Sequence, residues 1–496
     1  MSALRSPSGD PVREPRGVPP LLLGLTLTLL AARLILAANL HLTEDEAYYR
    51  LWSMAPAFGY YDHPPMIAWW IAIGRRLVGD CPLGVRLIPI FGSAATSLLV
   101  FALASLAGAS RVIAERAGLW FNAMPLPLAG GFLAVPDAPA GLFWILALVF
   151  ALRAVRDGSW PWWAAAGVAA GLATLSKYSA IFLAPGTVIW LCLTAEGRRA
   201  FRTPGPWLAA LIAIGLFSFN VAWNAEHHWL TFQKQFGRVA VHRLAPRYVL
   251  ELVAAQIGLL NPAIVALTLG ALAARRVAQG AGRVITPLVA TSAPFGAYLL
   301  VHSLHDRVEA HWPAPIYPAL AVVAAVITDG LLQRPPWRRL GPPAPHVVAI
   351  AAACTAAVMA VMSVGPASNM FAPIRGWGGF AAEIERTRQS AGAAWVGTMS
   401  YGLTAQLAGE TGLHAPILQI HERERYAGLT LARPDMERGG LVVDLPRRLN
   451  SLQLDHCFYD VRDLGVIVRG AGPEAGTPYA AFRVARPRRD ILRDGC

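Results

Sequence analysis

Five polar side chains crowd the stretch TEDEAYYRLWSMAPAFGYYDHPP, residues 43–65: Glu44, Asp45, Glu46, Asp62 and His63. Carboxylate and imidazole are the groups that take protons from hydroxyls or hold cations. A further acid, Asp137, stands in VPDAP between Pro136 and Pro139. Asp45 follows the first long apolar run and Asp137 opens the fourth, so both are expected at the outer ends of helices, where they could meet. An acid at the centre of a bilayer costs roughly 2.5–3.5 kcal/mol, and less near the interface. Carboxylates kept at such places are candidates for a general base or a metal ligand. The alternative is that they cap helices and anchor them in contact with water.

Groups suited to phosphate accompany these acids. Pro64 and Pro65 fit the first turn of a helix, with Asp62 or His63 as its cap, and the free N–H groups of that helix start together with His63 would suit a phosphate. The stretch HDRVEAHWPAPIYP repeats the arrangement, placing Arg307, Glu309 and His311 ahead of Pro313 and Pro315. Lys177, Lys234, Arg238, Arg243 and Arg247 add positive charge. Singly they suit lipid head groups, and together a lipid-linked phosphate. His227, His228 and His242 raise the question of a divalent metal, zinc or manganese, with Asp62, His63 and His227 as candidate ligands. No two of these histidines have helical ligand spacing with a third group, so no cofactor is certain.

The elements that must position these residues are membrane spans. The 496 residues are 55% hydrophobic and only 15% charged, and mean hydropathy is +0.44. A soluble domain of this size needs no such composition. Mostly apolar runs long enough to span occur near 18–40, 83–107, 112–134, 138–154, 160–175, 178–195, 205–223, 248–273, 284–302, 313–332 and 346–364, about eleven in all. The net charge of +13 could point to nucleic acid. Instead the arginines fall in short groups between alternate runs, which is the cytoplasmic signature of a membrane protein. The acids, histidines and aromatic residues collect on the other, outer side. The N-terminal apolar run is expected to be a retained helix, not a cleaved signal.

Two amphipathic stretches are too short to span. EDEAYYRLW puts Tyr48, Leu51 and Trp52 on one face, and PPMIAWWIAIGRRLVG is apolar for about fourteen residues; both are expected to lie in the interface. The expected division is a disordered cytoplasmic N-terminus at 1–17, an all-α polytopic bundle at 18–364 and a small periplasmic α/β domain at 365–496. In the tail AWVGTM, APILQI, GLVVDL and YAAFRV read as strands, and YGLTAQLAGE as a helix. The five cysteines, Cys81, Cys192, Cys354, Cys457 and Cys496, show neither a disulfide framework nor zinc spacing.

TEDEAYY, YYDHPPMIAWW, VPDAPAGLFWILAL, GLATLSKYSAIFLAP and EAHWPAPIYPAL, in this order, resemble the GT-C superfamily of integral-membrane glycosyltransferases. More closely they resemble the bacterial glycosyltransferase family 39 group, related to protein O-mannosyltransferases and the lipid A aminoarabinose transferase. The resemblance covers about the first 330 residues. It implies a polyprenyl-phosphate-linked sugar as donor, a hydroxyl acceptor on an envelope lipid, glycan or protein, and inversion at the anomeric carbon. The family's acidic position after the first span falls on Asp45, with Glu46 beside it, and its second on Asp137; these three are the expected catalytic residues. Its lysine after the fifth span falls on Lys177. Where the family often has Lys before two prolines, this chain has His63, whose charge titrates near neutral pH.

On this reading Asp45 is the general base. His63, Lys177, Arg243, Arg307 and His311 hold the donor phosphate, and the active site and tail face the periplasm from the inner membrane, in contact with membrane lipids and without nucleic acid. No nucleotide is needed, in keeping with the lack of a phosphate-binding glycine motif. The alternative is a lipid or polysaccharide transporter that uses the same acids for proton coupling.

Overall fold

The computed structural model describes residues 17–237, 244–277, 280–334, 347, 351–352, 354–359, 361, 376–426, 429, 434–470 and 476–496. Its helices begin with α1 (Pro20–Asn39), α2 (Glu44–Trp52), α3 (Met66–Val78), α4 (Pro82–Leu106), α5 (Arg111–Ala123) and α6 (Pro125–Gly130). There follow α7 (Asp137–Asp157), α8 (Trp160–Thr174), α9 (Leu183–Leu193), α10 (Ala195–Phe201), α11 (Pro204–Glu226) and α12 (Leu230–Gly237). The last of this part are α13 (Arg247–Leu259), α14 (Pro262–Ala273), α15 (Ala281–His302) and α16 (Tyr317–Leu332).

Among the described residues six helices are long and apolar enough to cross a membrane: α1, α4, α7, α11, α15 and Ala314–Leu332, which includes α16. Two bent pairs raise the number to eight if each is one span. Two of the eleven expected runs are broken for visible reasons. The run at 112–134 divides at Met124, because Pro125 starts a new helix there. The run at 248–273 bends by 103° between α13 and α14. Asn261 sits at the bend with φ 74°, Pro262 opens α14, and the Asn261 side chain both caps Ala263 N–H (3.0 Å) and donates to the Ala123 carbonyl (3.0 Å). The run at 346–364 lies for the most part, and the segment at 1–17 almost wholly, outside the described residues.

The chain forms two compact units. One takes the described residues of Met1–Leu34 with His63–Ile67 and Arg86–Met359; the other takes Ile35–Asp62, Ala68–Val85 and those of Ala360–Cys496. In the first unit, Leu29, Leu103, Trp120, Trp144, Phe295 and Tyr317 belong to one buried apolar cluster. Small residues let its helices approach closely: a Cβ at Gly186 of α9 would stand 2.5 Å from the Thr291 carbonyl oxygen of α15. Two buried arginines of this unit are held by polar partners. Arg33 faces the bundle, not lipid, donating to Ser93 Oγ and to the carbonyls of Pro127 and Leu128, each at 3.0 Å. Arg116 and Asp329 form a buried ion pair at 3.0 Å, so Arg116 is held within the protein and is not a free cytoplasmic charge.

The second unit contains α17 (Trp377–Ser390), β1 (Trp395–Thr398), α18 (Tyr401–Leu407), β2 (Ile417–Gln419), β3 (Gly440–Asp444), α19 (Ser451–Asp455), β4 (Phe458–Arg469) and β5 (Thr477–Pro487). The strands form one sheet in the order β2-β1-β3-β5-β4. β1 pairs parallel to β2 and β3, whereas β5 pairs antiparallel to β3 and β4. The four expected strands and the expected helix are all present. β4 is additional: FYDVRDLGVIVR is an edge strand whose charges hide its alternation, with a register shift between Asp463 and Gly465. The cysteine expectation is also corrected, since Cys457 and Cys496 form a disulfide with Cα atoms 5.6 Å apart. Their sequence separation of 39 carries no short-range signature.

Candidate active site

In the first unit the chemistry gathers around Asp137. This residue opens α7, and its carboxylate is mostly buried. Lys177 Nζ donates to Asp137 Oδ1 at 2.6 Å, and His311 Nε2 stands 3.8 Å from Oδ2. Lys177 is held in extended backbone (φ −155°) just before the short 3-10 turn Tyr178–Phe182. Met66 N–H donates to the Leu175 carbonyl at 3.0 Å, which ties the His63–Ile67 segment to the same turn after α8. Three residues expected on separate loops, Asp137, Lys177 and His311, thus meet. His63 lies in the same unit and is partly exposed. Arg307 instead lies 3.3 Å from Glu251, with both side chains exposed. His227 Nδ1 is 2.8 Å from the Trp223 carbonyl of its own helix, and its ring stacks on Trp223 at 4.0 Å. Arg243, with Arg238 and His242, lies outside the described residues.

In the second unit the chemistry gathers around α2. Thr43 and Glu46 form a reciprocal capping box: Glu46 N–H donates to Thr43 Oγ1, and Thr43 N–H donates to Glu46 Oε2 at 2.9 Å. Glu46 is fully buried, whereas Asp45 is exposed. The Asp45 carboxylate accepts a hydrogen bond of 2.7 Å from the Tyr401 hydroxyl. Burial first, and then the Asp45 charge, push the Tyr401 phenol well above its usual range. It therefore stays protonated and stays a donor to Asp45.

Asp62 accepts from Arg425 Nη1 with both oxygens, at 2.9 and 2.8 Å. Arg425 also donates to Glu422 and lies 4.3 Å over the Tyr401 ring. Burial opposes the charge on Arg425, but Asp62 and Glu422 outweigh it and hold the guanidinium protonated. Tyr48 donates to the Arg425 carbonyl at 2.7 Å, so α2 and the segment after β2 are knit together. The close fit of α2 with α18 needs a glycine, because a Cβ at Gly402 would stand 2.5 Å from Glu44 Oε2.

Asp45 and Asp137 belong to different units. Among the described residues no three His, Cys, Asp or Glu side chains are grouped to hold a metal. Sequence reasoning missed Tyr401 and Arg425. They stand 356 and 363 positions from their acidic partners, on a tail without a recognised motif.

Comparison with known proteins agrees with this architecture. Residues 62–223 match the family described as dolichyl-phosphate-mannose-protein mannosyltransferase. The chain is 30% identical over 228 residues to the lipid A galacturonosyltransferase RgtD of Rhizobium johnstonii, covering 44% of this chain and 46% of that protein. The chain thus matches about half the length of this curated relative. Its fold is similar to ArnT from Cupriavidus metallidurans, in the apo state and bound to undecaprenyl phosphate. Each likeness has a TM-score of 0.61 at 16% identity, over 93% of this chain and 97% of the other. An oligosaccharyltransferase from Archaeoglobus fulgidus, in complex with Zn and sulfate, gives a TM-score of 0.50 at 14% identity, over 79% of this chain and 61% of that one.

The class defined is a multi-pass membrane bundle carrying a small mixed α/β domain. This fold is similar to that of ArnT, and the match to the dolichyl-phosphate-mannose-protein mannosyltransferase family takes in residues 62–223.

Proposed function

We propose that this protein transfers a sugar from a polyprenyl-phosphate donor to a hydroxyl of a lipid A or core acceptor at the outer face of the inner membrane. The observation that carries the reading is the contrast on α2. Glu46 is buried in a capping box, while Asp45 next to it is exposed and oriented by a half-buried, protonated tyrosine. A general base needs that placement: solvent and substrate can reach it, and its rotamer is fixed.

In the proposed step Asp45 takes the proton of the acceptor hydroxyl as its oxygen attacks the anomeric carbon. The bond from that carbon to the phosphate oxygen breaks in the same displacement, which inverts the centre and releases polyprenyl phosphate. Lys177, held against Asp137 with His311 nearby, is the cation proposed to meet the charge building on the phosphate. His63 is assigned to the same task by its position on the segment tied to the Lys177 turn. Asp137 is then a positioning residue for Lys177, and Glu46 a structural one. The candidate ligands for a divalent metal, Asp62, His63 and His227, are given no metal-binding role in these steps.

The name of the relative matched at 30% identity makes a galacturonosyl donor the first to try and lipid A the first acceptor. Whether the sugar is hexosyl or pentosyl is settled by the same assay. Purified protein in detergent is given polyprenyl-phosphate sugars of both kinds, with and without lipid A, and release of polyprenyl phosphate is followed. Acceptor-dependent release with one donor class is expected. No release from folded protein with any donor would favour the transporter reading, which the matched relatives' names do not support.

A further inference from the structure

The second unit has a cavity that the expected catalytic residues do not use. It encloses about 360 Å³ and is lined by residues that follow three strands: Tyr401 after β1, His421, Glu422 and Arg425 after β2, and Arg448 and Gln453 after β3. β1 lies between β2 and β3, and all three run parallel. The chain leaves β1 through α18 toward β2 on one side, then returns to β3 on the other. The connections therefore diverge at the carboxyl ends of β1 and β3, and the crevice outside the strand ends at such a point is where open sheets bind ligands.

The lining states what kind of ligand fits. Arg425 is matched by Asp62 and Glu422. With that guanidinium held by two carboxylates, the lining is not a set of free cations aimed at a bare anion. What it offers is a set of mixed donors and acceptors: a guanidinium, an imidazole, an amide, a carboxylate and a phenol. Such a set pairs with the hydroxyls of a neutral sugar ring, each of which both donates and accepts.

We infer that this cavity is a saccharide subsite that holds the sugar head group of the acceptor. Tyr401 lines the cavity and donates to Asp45, so a ring seated here presents a hydroxyl toward the base. This inference rests on the proposed transferase reading only in calling the saccharide an acceptor; binding itself can be read without any transfer.

The test uses the full chain in detergent and the deacylated head group of lipid A as probe, followed by saturation-transfer difference NMR. His421 and Gln453 are exposed, so the His421→Ala/Gln453→Ala variant is expected to fold, as checked by its melting profile. The wild type should give a saccharide signal that persists when the probe is dephosphorylated, resists inorganic phosphate, and falls at least about fivefold in the double variant. In the transferase assay the same variant should raise the acceptor KM at least about tenfold while moving the donor KM less than about twofold. No signal from the wild type overturns the inference. So does a signal equal in the variant, or one lost on dephosphorylation or displaced by phosphate, which would mark an anion site. A saccharide signal without any transferase activity would leave the subsite standing and remove the proposed function alone.

Discussion

Asp45 and Glu46 are adjacent acids with opposite surroundings, and the difference decides what each can do. The buried Glu46 spends its carboxylate on the backbone of Thr43, and only Asp45 is left exposed with a fixed donor from Tyr401. Tyr401→Phe removes that donor and leaves the ring in place. Turnover is expected to fall about tenfold to 150-fold with the melting profile kept, since one hydrogen bond to a charged group is worth about 1.5–3 kcal/mol and each 1.4 kcal/mol is about tenfold in rate. Unchanged turnover would show that Asp45 needs no such partner. Lys177→Met should lower kcat/KM for the donor by at least about 100-fold, the scale seen when a preorganised charge-stabilising group is lost. A loss below about threefold, in folded protein, would move the phosphate elsewhere. The acids and Lys177 were legible because their types are costly beside a bilayer and they recur at the ends of apolar runs. Tyr401 and Arg425 were not, because a tyrosine and an arginine in a polar tail are ordinary until the fold brings them to α2.

At the scale of elements, strands and helices with clean periodicity were legible, and those whose surroundings override it were not. GLVVDL is buried at every position of β3 and reads as a strand. FYDVRDLGVIVR does not, because an edge strand tolerates Asp and Arg on both faces. The bend at Asn261 was missed because hydropathy runs unbroken across it, whereas the backbone follows Pro262 and the Asn261 cap. The pairing of Cys457 with Cys496 depends on where β4 and the chain end meet, which no spacing rule encodes.

Element stability has its own pH signature. Hydrogen bonds from Arg388, working against burial, bring the Glu385 carboxyl of α17 from its usual 4.5 down to about 2. A group with a lowered folded value contributes fully above its unfolded value and loses that contribution as pH falls toward the folded one. Wild type should therefore melt above Glu385→Gln near neutral pH, and the gap should shrink between about pH 4.5 and pH 2. A gap that stays constant over that window would contradict the assignment.

At the scale of the whole molecule, composition was enough to predict a polytopic bundle with a small C-terminal α/β domain, because a bilayer leaves few solutions for long apolar runs. The number of spans was less legible: short helices such as α8 and bent pairs such as α13 and α14 carry the same hydropathy as straight crossings. The proposed function turns on one carboxylate. The measurement that tests it most directly is acceptor-dependent release of polyprenyl phosphate by Asp45→Asn beside the wild type, at equal folded concentration. The account predicts a fall of at least about 10²–10⁴-fold in turnover with an unchanged melting profile. A variant that turns over near the wild-type rate would contradict it and would leave the base to be sought around Asp137.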